Sequence, residues 1–277
     1  MLSKEFYRHC YAATGWLPMQ PLVQGLAVGD VCQVLHGRFQ PLLNLAEARV
    51  VEPLEVSAEV ALAPDGWLLG LHVLHQAGGT HRPGEGDGTV HSRVALEFAR
   101  EGGYLLHARA PRARLLRNWS QLRDDATLKL TQLHYGFRHA YVVTGVATAH
   151  AWGLAMAACP GARLELAVAG GCNGGGAHVL SEPSARVELC QGLAVCEVAQ
   201  ERPAHFFQAK KLVLSDAMAD RYLAQVLDGR LRPADTGNWL QASLFDLVKS
   251  NELNLNTSIG YFSWTAMSLD DVELLAG

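Results

Sequence analysis

Residues 90–110, VHSRVALEFAREGGYLLHARA, alternate apolar and polar side chains on either side of a Gly-Gly pair. Side chains of an extended chain change face at every residue. Val90, Ser92, Val94, Leu96 and Phe98 therefore share one face, and His91, Arg93, Ala95 and Glu97 share the other. After Gly102 and Gly103 the order resumes, with Tyr104, Leu106, Ala108 and Ala110 on one side and Leu105, His107 and Arg109 on the other. The stretch predicts two strands joined at the glycines. It has two readings: a half-buried antiparallel hairpin of a water-soluble sheet, or a ribbon that meets lipid on one face and water on the other. About 9–11 residues of tilted strand cross a bilayer, and the length suits either reading.

Residues 163–198 repeat the theme. Arg163 to Ala169 alternate, a glycine-rich run (GGCNGGG, 170–176) follows, a partner segment is expected from Ala177 onward, and a further strand near Leu189 to Val198. The 277 residues, 49% hydrophobic, suffice for one large domain or two small ones. No run of about 18 apolar residues occurs and the first twenty carry Arg8, His9 and Pro18, so neither a membrane helix nor a secretory leader is expected. The expected starting location is the cytoplasm. The net charge of −4 resides in residues 250–277, which hold Glu252, Asp270, Asp271 and Glu273 and no Lys, Arg or His; the rest is formally neutral. That acidic tail is either a solvated end or a source of repulsion from an anionic membrane.

A helix is expected over residues 3–12, with Ser3 as cap and Gly15 and Pro18 at its end. Strands follow at Val31 to Leu35 and Gln40 to Leu45, then a glycine-rich loop over 78–88, and a helix over 119–133 with Ser120 as cap. The segment from Ala140 to Val146, apolar except Thr144 and Gly145, reads as a central strand buried on both faces. Further helices are expected over 215–227 and around Leu240, Leu244, Leu247 and Val248, separated by a linker-like stretch, 228–237. Tyr261, Phe262, Trp264, Met267 and Leu269 then crowd into one short segment, with a Ser268-to-Asp271 capping pattern. So much apolar surface has to dock on the body or on another chain.

The usual catalytic layouts are missing. The chain has no G-x-S-x-G, H-E-x-x-H or paired-carboxylate signature, so no enzyme is expected. The run 170–176 lacks the Lys-Ser or Lys-Thr that ends a phosphate loop, and reads as a turn. His72, His75, His81 and His91 do not share one strand face at metal-ligand spacing, and the six cysteines follow neither zinc nor disulfide spacing; no metal is expected. Arg109, Arg112, Arg114 and Arg117 form a basic cluster that suits lipid headgroups or solvent. Nucleic acid is not expected of so nearly neutral a body.

The order of parts resembles the bacterial gasdermins: an N-terminal segment with a cysteine, an early strand pair ending in Gln40-Pro41-Leu42-Leu43, an amphipathic ribbon, the strand Ala140-Tyr141-Val142-Val143-Thr144, a second ribbon and an apolar tail. The resemblance implies an α+β fold, a twisted central antiparallel or mixed sheet with peripheral helices and a C-terminal tail docked on the sheet. It implies a pore-forming unit over 1–237 and a helix with an autoinhibitory tail over 238–277. Removal of the tail by a caspase-like or trypsin-like protease then lets copies oligomerise and insert both ribbons into the inner membrane, killing the cell, commonly in defence against phage. The implied partners are membrane lipids, further copies of the chain and that protease.

By the same resemblance Val90, Val94, Leu96, Phe98, Tyr104 and Leu106 face lipid, Arg93, Glu97 and Arg109 face the lumen, and Tyr261, Phe262, Trp264, Met267 and Leu269 form the inhibitory tail. Arg230 and Lys249 are the candidate cleavage positions. No dissociable cofactor is implied. Cys10 is either the site of a covalent palmitoyl group or a buried core thiol. The alternative function is a soluble β-rich protein that binds an apolar ligand.

Overall fold

The computed structural model describes residues 2–35, 38–81, 91–132, 140–169, 177–215, 262–268 and 270–271. In chain order the elements are α1 (Lys4–Thr14), β1 (Leu17–Pro18), β2 (Asp30–Leu35), β3 (Arg38–Asn44), β4 (Val60–Ala61), β5 (Trp67–Leu71), β6 (Val73–His81), β7 (His91–Phe98), β8 (Tyr104–Arg109) and β9 (Arg112–Leu115). There follow α2 (Trp119–Gln132), β10 (Tyr141–Ala149), β11 (Ala151–Ala157), β12 (Ala162–Ala169), a 3-10 turn (His178–Ser181), β13 (Arg186–Gln191), β14 (Leu193–Gln200), β15 (Ala204–Leu214) and β16 (Phe262–Ala266). Strands hold about half of the described residues and pair antiparallel, giving a mostly-β α+β fold.

The largest sheet is built on β10. β15 runs along one of its edges, while β2 and β9 share the other. Its residues alternate between two cores: Tyr141 and Val143 face α1, whereas Val142 joins Leu122, Ala126 and Leu130 of α2. The expected central strand, buried on both faces, is thus observed. Helix α1 forms as anticipated, because the Ser3 hydroxyl accepts from the Phe6 amide and Gly15 ends the helix at φ 73°. Phe6, Tyr7 and Cys10 make its buried face.

Two smaller sheets, ordered β14-β11-β8-β5 and β13-β12-β7-β6, contain both alternating stretches. Here the sequence expectation needs correction. Gly102 and Gly103 do not fold 90–110 into a hairpin: β7 pairs with β6 and β12, and β8 pairs with β5 and β11. The glycines bend one long strand from the outer sheet into the inner one. The same reading placed the loop start at Gly78, but β6 continues to His81. Helix α2 begins at Trp119, so Ser120 lies inside it, and the segment after Ala177 first makes the 3-10 turn before β13 pairs with β12. Val90, the expected helices at 215–227 (beyond Ser215) and 240–248, the 228–237 stretch, the 237/238 boundary, Arg230, Lys249, Tyr261 and Leu269 lie outside the described residues.

Candidate functional site

Each strand of the outer sheet continues into one of the inner sheet, and at each junction one residue takes the left-handed backbone: His72 (φ 55°), Gly102 (φ 74°), Gly161 (φ 76°) and Gly192 (φ 69°). Three of the four are glycine, the residue for which this conformation carries no Cβ penalty. The bend is stitched by main-chain bonds: Ala99 donates to His72, Gly161 to Phe98, Gly102 to Ala157 and Ala158 to Gly192, at 2.8–3.0 Å. A four-stranded antiparallel ribbon is therefore doubled back over itself, and the two leaves enclose a core of their own.

The lipid-facing candidates are divided by this bend. Val94, Leu96 and Phe98 are buried between the leaves, packed with Leu164 and Leu166 of the outer leaf and with Leu105 and Ala155 of the inner. Tyr104 and Leu106 point the opposite way, into the core shared with α1, Trp152, Leu154 and Met156. A left-handed residue in a strand displaces the alternation by one position, which places the two groups on opposite sides. The central strands of the inner leaf, β8 and β11, are thus buried on both faces. The outer leaf turns Arg93, Glu97, Arg163 and Glu165 outward, where Arg93 pairs with Glu188 at 2.9 Å. Arg109 pairs with Glu182 at 3.5 Å, half-exposed.

A polar pin holds the 3-10 turn on the inner leaf. Ser181 donates its hydroxyl proton to the His178 carbonyl (3.3 Å) and accepts from His107 Nδ1 (2.7 Å), which leaves His107 Nε2 as acceptor for His178 Nδ1 (3.0 Å). Ser181 and His107 are 1% and 2% exposed, so no substrate reaches the hydroxyl and the pair positions the turn. Gly153 beneath it is obligatory: a Cβ there would lie 2.2 Å from the Leu180 carbonyl oxygen.

The tail docks on the large sheet, as expected. β16 extends it along β15, pairing Phe262 with Leu214 and Ala266 with Lys210; β1 covers Phe206 and Phe207 further along the same edge. Phe262 and Met267 are buried. Trp264 donates Nε1–H to Thr127 of α2 at 2.8 Å and meets Trp119 edge-on at 5.1 Å. Asp271 closes the tail: Lys211 Nζ lies 2.6 Å from its Oδ1, with the two side chains 17% and 10% exposed, Tyr141 donates to the same oxygen, and the Ser268 amide and hydroxyl donate to the other. Burial alone would raise its pKa, but the Lys211 hydrogen bond and charge, with the Ser268 donors, hold it below the ordinary carboxylate value.

Cys10 is fully buried on α1, and burial pushes its thiol up to about 12 against a smaller opposing pull from Thr14. Acyl transfer needs an exposed thiolate, so in this fold Cys10 has the environment of the core-thiol alternative. Among the described residues no group of three or more His, Cys, Asp or Glu side chains could hold a metal, and no helix is long and apolar enough to cross a membrane; the latter says nothing of strands.

Gly102 was read as a hairpin turn, and the bend roles of His72, Gly161 and Gly192 and the contacts of Lys211 and Tyr11 were missed by the sequence reading. For the bend a signal existed: even positions of 151–169 read Trp152, Leu154, Met156, Ala162, Leu164, Leu166 and Val168 around Pro160-Gly161, one alternation running through a break. Comparison with models of known protein families returns no match, and comparison with curated proteins returns none either.

Proposed function

We propose that the chain is a tail-restrained pore-forming protein whose doubled ribbon straightens, joins other copies and lines a membrane β-barrel. One observation carries the reading. In a strand without left-handed residues, Trp152, Leu154, Met156, Ala162, Leu164, Leu166 and Val168 share one face, free of charge, and Arg163 and Glu165 share the other. Val94, Leu96, Phe98, Tyr104 and Leu106 likewise regain one face along His91–Arg109. The present fold divides both sets between two cores. A straight strand of that length spans roughly 60 Å, about twice the hydrocarbon thickness, so one half of it fills the bilayer; with the bend at the membrane margin the Arg100 charge costs about 0–1 kcal/mol.

The strand count supports the same reading. Four antiparallel strands end in two oppositely directed edges, so β13–β14 of one copy can meet β5–β6 of the next in the antiparallel sense used within each copy. A head-to-tail join of this kind closes into a ring, which alone satisfies every edge in lipid. The tail supplies restraint through α1: Tyr11 bonds Met267, while Phe6 packs edge-on against Tyr104 of the ribbon at 4.8 Å. Together with the resemblance to bacterial gasdermins, this makes inner-membrane permeabilisation the proposed outcome, cell death in phage defence the proposed use, and cleavage at Arg230 or Lys249 by a caspase-like or trypsin-like protease the proposed trigger.

The test is dye release from anionic liposomes by the full chain before and after specific cleavage at an engineered site near Arg230 or Lys249. Release only after cleavage is expected; silence of the cut chain, still folded by circular dichroism, refutes it. One observation favours the binding-protein reading: a cavity of about 300 Å³ lined by Leu2, Leu22, Trp152, Leu154 and Val195. That is the low end for a small-molecule site. Saturable binding of a fluorescent fatty acid, abolished by Leu22→Trp, with no dye release from any form, would establish that function instead.

A further inference from the structure

Cys190 and Cys196 flank Gly192, the bend residue of the fourth strand. By register Cys190 stands opposite Leu164 of the outer leaf and Cys196 opposite Ala155 of the inner. Leu164 and Ala155 are both fully buried in the core between the leaves. Paired residues project to the same side of a sheet, so the two cysteines approach that gap from opposite leaves, where burial and then the neighbouring Cys190 raise the Cys196 thiol's pKa. Both are free, Cys190 exposed and Cys196 half-buried.

We infer that Cys190 and Cys196 form a disulfide across the bend, a redox lock that keeps the ribbon doubled. Geometry makes the bond specific to the bent chain. In a straight strand, six residues separate the Cα atoms by roughly 20 Å, whereas a disulfide requires about 4.4–6.8 Å. The oxidant is a small-molecule disulfide such as oxidised glutathione. The exposed Cys190 thiolate attacks one of its sulfurs, forming a mixed disulfide and expelling one glutathione thiolate. Cys196, deprotonated, then attacks Cys190 Sγ and expels the second. Two cysteine thiols are oxidised, one glutathione disulfide is reduced to two thiols, and the two cysteine protons pass to solvent or the departing thiolates. Bond formation depends only on the folded structure; its effect on membrane activity rests on the pore-forming reading.

The first experiment incubates the full-length chain with oxidised and reduced glutathione, blocks remaining thiols and digests with trypsin. Both cysteines lie in the fragment 187–210, since Pro203 protects Arg202 from trypsin. That fragment is expected lighter by two hydrogens, at an oxidant level at least about tenfold lower than in urea, since folding brings the thiols together. A persistent glutathione adduct on Cys190, a cross-link to the fragment 139–163 through Cys159, or equal oxidation in urea overturns the assignment. Cys159, whose Sγ lies 3.9 Å from the Gly192 carbonyl oxygen, makes the second outcome a real competitor.

The second experiment measures dye release by the tail-cut chain. Oxidation is expected to lower the rate at least about tenfold, dithiothreitol to restore it, and Cys196→Ala to remove the redox response. Undiminished release with the bond intact overturns the lock. If the reduced cut chain is silent, the pore-forming reading has failed, and amide exchange decides the lock: residues 187–200 should exchange at least about tenfold more slowly when oxidised, and no slowing overturns it.

Discussion

The Tyr11 hydroxyl donates to the main-chain carbonyl of Met267, 256 residues further along the chain, at 3.3 Å. Tyr11 lies on the helix whose Phe6 packs against Tyr104 and whose His9 ring nitrogen bonds the Tyr104 hydroxyl. The tail thus reaches the doubled ribbon through α1. Removing it frees β15 of a strand and α1 of a partner in the same event.

Asp271→Asn leaves the Lys211 ammonium buried without its counter-charge, a loss of about 3 kcal/mol at a well-enclosed pair. Amide exchange over residues 262–268 is expected to rise at least about tenfold, with some dye release from the uncut chain. Unchanged exchange would remove Asp271 from the latch.

The same carboxylate sets a pH dependence. Its folded pKa is depressed, so its stabilisation is complete above the ordinary carboxylate value and is lost as pH falls through the lower folded value. Trp264 fluorescence, with the other tryptophans replaced by Phe, should report tail release only below about pH 4. Release beginning near pH 6 would implicate histidines instead.

Gly161 is a clean probe of the bend, since a Cβ there meets nothing within 4 Å and any effect is conformational. Gly161→Val is expected to destabilise the folded chain by about 1–2 kcal/mol and to speed release after cleavage, because Val favours the extended form. Gly161→Asn, which tolerates the left-handed region, should stay near wild type in both urea denaturation and release assays.

Cys10 should behave as a core residue. Alkylation in native buffer is expected to be at least about a hundredfold slower than in urea, and the intact mass after bacterial expression should show no acyl chain on it. An acylated Cys10 would require α1 to be unseated when the lipid is attached.

Short-range patterns were the legible part of the fold. The Ser3 cap, the Gly15 stop and the apolar run at Tyr141 each depend on neighbours within one element, and each appears where expected. Glycine pairs were not decisive, because Gly102-Gly103 serves a tight reversal and a bend equally well; which one forms depends on β11 and β12, strands 48–67 residues further along the chain. The tail's docking was legible from Phe262, Trp264 and Met267, which need cover. Its anchor on Lys211 was not, since nothing local distinguishes Lys211 from the adjacent Lys210.

The cover over β15 is also a matter of timing. β16 begins 48 residues after Leu214, the last residue of β15, so ribosomes synthesise the covering strand after the body on which it docks. Until residue 266 emerges, the nascent body has an open edge, and a product truncated before Phe262 never acquires its strap. Under the proposed tail-restrained function, premature termination in this message is expected to yield the unrestrained species rather than an inert fragment.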